Sequence, residues 1–157
     1  LSALYEINGA IDGSSYQFTT SSGLIYIVYF TEFFLLDIDG HDLQVISFGF
    51  TCNNPDAIKT YDNSVRDTII HIIKEFFISQ PNGALLYMCT GSDGRSRNRH
   101  ITFGRWFHET DSELEKHNFA AQDPESSFYS SIILNISNPE KERIIEAFYH
   151  TIDYWGL

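Results

Sequence analysis

Basic side chains are scarce in this sequence. Ten Lys and Arg stand against twenty-one Asp and Glu in 157 residues, a formal net charge of −11. Four of the ten, Arg95, Arg97, Arg99 and Arg105, share one short stretch, which leaves six basic residues against twenty-one acidic ones elsewhere. A surface of that sign repels nucleic acid and anionic membrane at long range, because both present dense negative charge. Those two classes of partner are set aside. What such a surface favours is a protein partner or a second copy of the chain, and solubility is its simplest use.

Cysteine is as sparse. Cys52 and Cys89 both fall at the ends of predicted strands, and two residues at that separation build neither a disulfide framework nor a metal-ligand spacing. Free thiols in a reducing cytoplasm are expected. Long apolar runs are missing too: Leu24–Phe30 and Ile69–Ile73 are too short to span a bilayer. No signal-peptide pattern opens the sequence, so a cytoplasmic location is the expectation. No polar low-complexity tract argues for disorder. The glycosylation pattern Asn135-Ile136-Ser137 lies inside a predicted apolar strand and reads as chance.

What the sequence does contain is core material. Hydrophobic residues make up 43%, with thirteen Phe and nine Tyr. At this length one domain, residues 1–157, is expected to bury roughly 70% of its unfolded surface. Apolar alternation predicts strands over Ala3–Asn8 and Ser15–Thr20, joined by a turn containing Asp12-Gly13. Ser21-Ser22-Gly23 makes the next turn. Leu24–Phe30 is a strand rich in β-branched and aromatic residues, and Glu32–Ile38 either continues it or bends it at a bulge. Leu43–Cys52 follows, with Ile46, Phe48 and Phe50 on one face.

Helical periodicity then begins. Ser64–Ile78 places Val65, Ile69, Ile72, Ile73 and Phe76 on one stripe, leaving Asp67, His71, Lys74 and Glu75 on the polar side. Ser64 and Asp67 resemble a capping arrangement. Pro81-Asn82-Gly83 stops that helix, and the nearly all-apolar Ala84–Cys89 suits a central strand covered on both faces. After the arginine-rich segment, strands are predicted near His117–Gln122 and over Tyr129–Ser137. A last helix starts at Asn138-Pro139 and buries Ile144, Ile145, Phe148, Ile152 and Trp155. The order β-β-β-β-α-β-α-β-β-α defines an α+β fold on a mixed, mainly antiparallel sheet.

The arginine segment is the chemically odd one. A helix starting near Ser92 or Asp93 has either residue as its cap. With Arg95 at zero and 100° per residue, Trp106 lies at about 20°, Arg99 at about 40°, Phe103 at about 80° and Phe107 at about 120°. Arg97 and Arg105 fall on the other side, at about 200° and 280°. Two arginines therefore look outward as surface basic residues, and two lean toward the body. An unpaired guanidinium facing the core costs several kcal/mol, which leaves two readings for Arg95 and Arg99. One is a structural ion pair with a carboxylate. The other is an anion or ligand site formed by Ser92, Asp93, Gly94, Arg95 and Arg99 beside Trp106, with backbone N–H groups at the helix start.

Other chemistry is poorly represented. His41, His108, His117 and His150 show no pair at metal-ligand spacing. Asp37-Ile38-Asp39-Gly40 has Phe48 where a calcium loop needs its chelating Glu, so it reads as a turn. No metal is expected. No Ser or Cys stands in a nucleophile motif, and no catalytic residue is assigned. Arg95 and His100 fit the Arg-x4-His pattern of the HEPN ribonucleases, but that family is all-helical and this chain opens with four strands.

The segments LLYMCTGSDGRSRNRHITFGRWF and SSYQFTTSSGLIYIVYF resemble a bacterial family known only as domain of unknown function 6169. The most specific parts are Ser92-Asp93-Gly94-Arg95, Arg97-Asn98-Arg99 and Arg105-Trp106-Phe107. The resemblance implies a bacterial, cytoplasmic protein and carries no activity. In topology, the order from Ser15 onward is also similar to the GCN5-related N-acetyltransferases. Those enzymes bind the coenzyme A pyrophosphate on a Gly-rich loop before the helix that precedes their fifth strand. Here that place reads NNPDAIKTYDNSVRDT, without glycine, so the backbone approach a pyrophosphate needs is not provided. The expectation is a binding or regulatory module without catalysis and without a cofactor. The alternative is an acyltransferase-like enzyme, or a degenerate descendant of one, using acetyl-CoA.

Overall fold

In a computed structural model of the chain, the structure describes residues 4–10, 12–53, 63–90, 96–109, 113–120 and 128–154, without the side chains of residues 89, 90, 96–99, 120 and 154. Seven strands and three helices are described: β1 (Asn8–Gly9), β2 (Ser15–Thr19), β3 (Ile25–Leu36), β4 (Asp42–Cys52), α1 (Asn63–Ser79), β5 (Ala84–Thr90), α2 (Ser96–His108), β6 (Leu114–Ala120), β7 (Phe128–Asn135) and α3 (Lys141–Tyr154). The strands form one sheet in the order β1-β2-β3-β4-β5-β7-β6. The fold is α+β, and the element order is the one the sequence pattern predicts.

Only β4 and β5 run parallel; the other neighbouring pairs are antiparallel. The parallel ladder is short. It joins Ile46 to Leu85, Ser47 to Leu86 and Phe48 to Tyr87, although β4 continues to Cys52 and β5 to Thr90. Beyond Phe48 and Tyr87 the two strands therefore fork. By contrast β3 and β4 pair without interruption from Tyr26–Cys52 to Leu36–Asp42. Of the two alternatives for Glu32–Ile38, continuation or a bulge, the first holds through Leu36. Ile25–Leu36 is one continuous strand, because its β-branched and aromatic residues find a partner along β4.

Alternation along the strands divides the core between the two faces. Toward α1 and α2 lie Phe18, Tyr26, Val28, Phe48, Leu85 and Tyr87, joined by Val65, Ile69 and Ile73 of α1 and by Phe103 and Trp106 of α2. Toward α3 lie Leu35, Val45, Ala84, Leu86, Ile132 and Leu134, met by Ile144, Ala147, Phe148 and Ile152. β5 feeds alternate side chains to both clusters, as its unbroken apolar sequence requires.

Several boundaries differ from the sequence reading. The strand expected over Ala3–Asn8 is reduced to Asn8–Gly9. Tyr5 and Ile7 pack against the cluster on the α1 side, the Tyr5 ring stacks on Phe18 at 5.8 Å, and the Tyr5 N–H donates to Thr68 Oγ1 of α1 (3.1 Å). Apolar burial on the helix outcompetes sheet pairing there. β6 begins at Leu114 rather than near His117, because Leu114 packs against the α1-side cluster and pairs with Asn135. Asn138 does not cap α3 directly. Its Oδ1 accepts the Glu140 N–H (2.8 Å), while its Nδ2 donates to the carbonyls of Asn82 (3.2 Å) and Gly83 (3.4 Å). The turn before α3 is thereby tied to the turn that ends α1. Asn135 lies at the end of β7, and its Nδ2 donates to the Pro81 carbonyl (2.7 Å). Trp155 lies outside the described residues.

Candidate functional site

The arginine segment supplies α2, and the wheel orients it correctly where side chains are described. Phe103 and Trp106 are buried and Arg105 is exposed. Phe103 approaches Tyr87 to 4.4 Å between ring centres, and Trp106 stacks on Phe50 at 6.0 Å. Of the proposed anion site, Ser92, Asp93, Gly94 and Arg95 lie outside the described residues, as does the side chain of Arg99; the side chain of Arg97, expected at the surface, lies outside them too. Of the stretch that would carry coenzyme A in an acetyltransferase, residues 53–68, residues 54–62 lie outside them as well.

α2 turns a further group inward. His100 is half-buried and stacks on Tyr129 (4.8 Å between ring centres, 22° between planes), and its Nδ1 has no hydrogen-bond partner among the described residues. Burial, and after it the charge of Lys116, holds its pKa below the usual imidazole value. Lys116 itself reaches over the Phe103 ring and donates to Asn118 Oδ1, which also accepts the Ser131 hydroxyl (2.8 Å). The sequence did contain a signal for His100: on the wheel it sits about 20° from Phe107.

A concavity lies elsewhere, on the α1 side of β2–β4, with a volume of about 670 Å³. Its floor is built from strand positions of one parity. Tyr16 of β2, Phe30 and Glu32 of β3 and Ile46 of β4 project from the same face, with Glu32 directly opposite Ile46 in the β3–β4 register. The last two turns of α1 form the facing wall through His71, Ile72, Glu75, Phe76 and Ser79. The turn Asp12-Gly13-Ser14 closes one end. Gly13 has φ +72°, a conformation that favours glycine, and Asp12 Oδ1 accepts both the N–H (3.0 Å) and the hydroxyl (2.6 Å) of Ser14. Three rings make a continuous aromatic surface: Phe30 and Phe76 stack at 5.6 Å and 8°, and Tyr16 meets Phe30 edge-on at 5.8 Å and 85°.

The electrostatics of this cavity are one-sided. Asp12, Glu32 and Glu75 line it; among the described residues no Lys or Arg does, and His71 is its single nitrogen base. The His71 Nε2 stands 4.0 Å from Glu75 Oε1, one turn along the helix. The Ser14 hydroxyl, and after it the Ser14 amide, hold the Asp12 carboxyl below the usual carboxylate range. None of these residues was singled out as a site from the sequence, where His71 and Glu75 read as a solvent face. The legible signal was Glu32, an exposed carboxylate that alternation puts on the same strand face as Phe30 and Phe34. A second depression, about 490 Å³, is bordered by Lys74, Ile78, Pro81, Glu113 and Leu114 and carries charges of both signs.

Asp37, Asp39 and His41 bring three ligand-type atoms within 4.8 Å of one another, at the stretch the sequence presents as a turn. The turn is closed by the Gly40 N–H on the Asp37 carbonyl (3.0 Å), with Gly40 at φ +81°. The buried Asp37 carboxylate is fully engaged: Oδ1 accepts the N–H groups of Asp39 (3.0 Å) and His41 (2.8 Å), and Oδ2 accepts Arg143 Nη2 (3.0 Å). These bonds give it a structural role, locking the β3–β4 turn onto α3.

Fold and cavity together define an α+β protein built on one mixed seven-stranded sheet, with a ligand-sized, acid-rimmed aromatic hollow under its first helix. The family model described as "Family of unknown function (DUF6169)" matches residues 61–150, more than half of the chain, and the chain belongs to that family. No curated protein and no solved structure shows a significant match. The matched stretch takes in α1, with His71, Glu75 and Phe76, and runs through β5, α2, β6 and β7 to most of α3. No helix among the described residues is long and apolar enough to cross a membrane.

Proposed function

We propose that the chain is a small-molecule-binding module whose site is the cavity between α1 and strands β2–β4. The observation that carries this reading is the cavity itself. At about 670 Å³ it falls inside the range of roughly 300–1,000 Å³ over which proteins enclose small ligands. Its walls combine apolar rings with a few polar groups, the composition that gives such sites affinity and orientation. We read its contents as binding without chemistry. Among the described residues the Ser14 hydroxyl donates to the Asp12 carboxylate of its own turn (2.6 Å), and His71 makes no hydrogen bond to Ser14 or Ser79 that would complete a nucleophile-base-orienter arrangement. A fragment panel followed by ligand-observed NMR tests the reading against Ser79→Trp, a substitution at the exposed last residue of α1 that places an indole in the hollow. Fragments bound by the wild type are expected to be lost in the variant at unchanged melting temperature. Equal binding by both proteins, or none by the wild type, rejects the site.

One observation favours a second reading, that of an acyl-coenzyme A module. The element order from Ser15 onward, β-β-β-α-β-α-β-β, is the order that resembles the acetyltransferases, and β4 forks from β5 after Phe48 and Tyr87. Two features weigh against it. The stretch between β4 and α1 has no glycine, and the rings of Phe50, Tyr87, Phe103 and Trp106 crowd the α2 side of the fork. Thermal shift with acetyl-CoA separates the two readings. A saturable rise in melting temperature that survives Ser79→Trp assigns the ligand to the fork.

A further inference from the structure

Resting on the cavity as the binding site, we infer that its ligand is an organic cation, an ammonium or guanidinium group carried on an apolar body. The rim offers three carboxylates, Asp12, Glu32 and Glu75, and among the described residues no Lys or Arg lines the hollow to neutralise them. Among the described residues, no Lys or Arg is paired with Glu32, and the ion-pair contact of Glu75 is His71 at 4.0 Å. The rings of Tyr16, Phe30 and Phe76 surround the same space. Carboxylates attract any cation, but a bare metal ion gains little from rings and keeps its water. An alkylammonium or guanidinium is held by both, through charge and through the ring quadrupole. The apolar floor at Phe30 and Ile46 then buries the body of the ligand. A net charge of −11 over the chain raises the local concentration of cations and steers them inward. An anionic ligand of equal size would face the three carboxylates without a compensating base other than His71.

Three probes of one shape decide the matter: phenethylammonium, the neutral 2-phenylethanol, and the anionic 3-phenylpropionate. Isothermal titration at low salt is run on the wild type, Glu32→Gln, Glu75→Gln and Ser79→Trp. The ammonium is expected to bind the wild type at least about tenfold more tightly than the alcohol, and the carboxylate not at all. Each Glu→Gln change is expected to weaken the ammonium about three- to tenfold while leaving the alcohol unchanged. Both variants are exposed and nearly isosteric, so the fold is not at risk. Equal binding of ammonium and alcohol, with both lost in Ser79→Trp, overturns the cation and leaves the cavity as the site. Preferential binding of the carboxylate does the same. If no probe binds, cation and cavity fall together.

Discussion

The two faces of the sheet are filled by different kinds of residue. The α1–α2 face is packed largely with rings: Phe18, Tyr26, Phe48, Phe77, Tyr87, Phe103 and Trp106 are all buried there. The α3 face is packed with Leu, Ile, Val and Ala around the single buried ring of Phe148. Branched aliphatic chains interdigitate closely between a helix and a sheet, and α3 is further fastened by polar contacts at both ends. Thr151 Oγ1 accepts the Leu36 N–H (2.8 Å), and Arg143 reaches Asp37 (3.0 Å). Rings are rigid and planar, and they meet in stacks and edges that leave space at their margins. The hollow lies at such a margin, where Phe30, Phe76 and Tyr16 end and α1 is, among the described residues, the only helix overhead. The aliphatic face holds the structure; the aromatic face has room for a ligand.

The largest effects that probe this contrast come from the fully buried rings. Phe103→Ala and Phe148→Ala are each expected to lower stability by about 3–5 kcal/mol in urea unfolding. The leucine variants separate the faces. Phe103 meets Tyr87, Phe48 and Phe50, whereas Phe148 has its ring contact with Tyr149. With ring pairs worth about 0.5–1.5 kcal/mol each, Phe103→Leu is expected to cost more than Phe148→Leu. Equal costs for the two leucine variants would mean that the ring network contributes nothing beyond its volume.

Thr151→Val comes next. It removes the acceptor of the Leu36 N–H and leaves a buried contact incomplete, an expected loss of about 1–3 kcal/mol measured by the same unfolding curves. A variant as stable as the wild type would show that α3 is held by apolar packing alone.

The smallest effect is expected at Asp37, and it depends on pH. The His41 amide, ahead of Arg143 and the Asp39 amide, holds this carboxyl below the usual range against the opposing effect of burial. A carboxyl with a depressed folded pKa contributes stability above its unfolded value, near 3.9, and loses it as the pH falls through the folded pKa. Asp37→Asn is therefore expected to melt below the wild type at pH 7, with the gap closing once the pH falls well under about 3.9. A gap constant from pH 7 to pH 2.5 would assign the loss to shape and not to charge.

Much of this architecture was readable one element at a time. The stripe of Val65, Ile69, Ile72 and Ile73 specified α1, and Phe103 with Trp106 fixed the inward side of α2, because helical burial repeats locally every 3.6 residues. Alternation at Ile46, Phe48 and Phe50 oriented β4 in the same way. The N-terminal stretch was misjudged, since Tyr5 finds Thr68 and Phe18 only after α1 is laid across the sheet. The cavity was beyond reach for the same reason. Its residues come from the N-terminal arm, a turn, three strands and a helix spread from Ile7 to Gln80, and nothing local announces that Phe76 will stack on Phe30. Even Glu32, which alternation places on the face of Phe30, acquires meaning only beside Glu75 and Tyr16.

Local patterning and composition specify most of the helices and strands, the apolar sides of each, and a net charge of −11. These follow from local periodicity and from a count. Tertiary structure decided that β5 inserts beside β4 in parallel, that the two strands fork after three pairs, and that the scattered carboxylates and rings converge under α1. Those outcomes depend on which apolar faces meet once every element competes for the same core, a comparison of whole arrangements that no short window of residues contains.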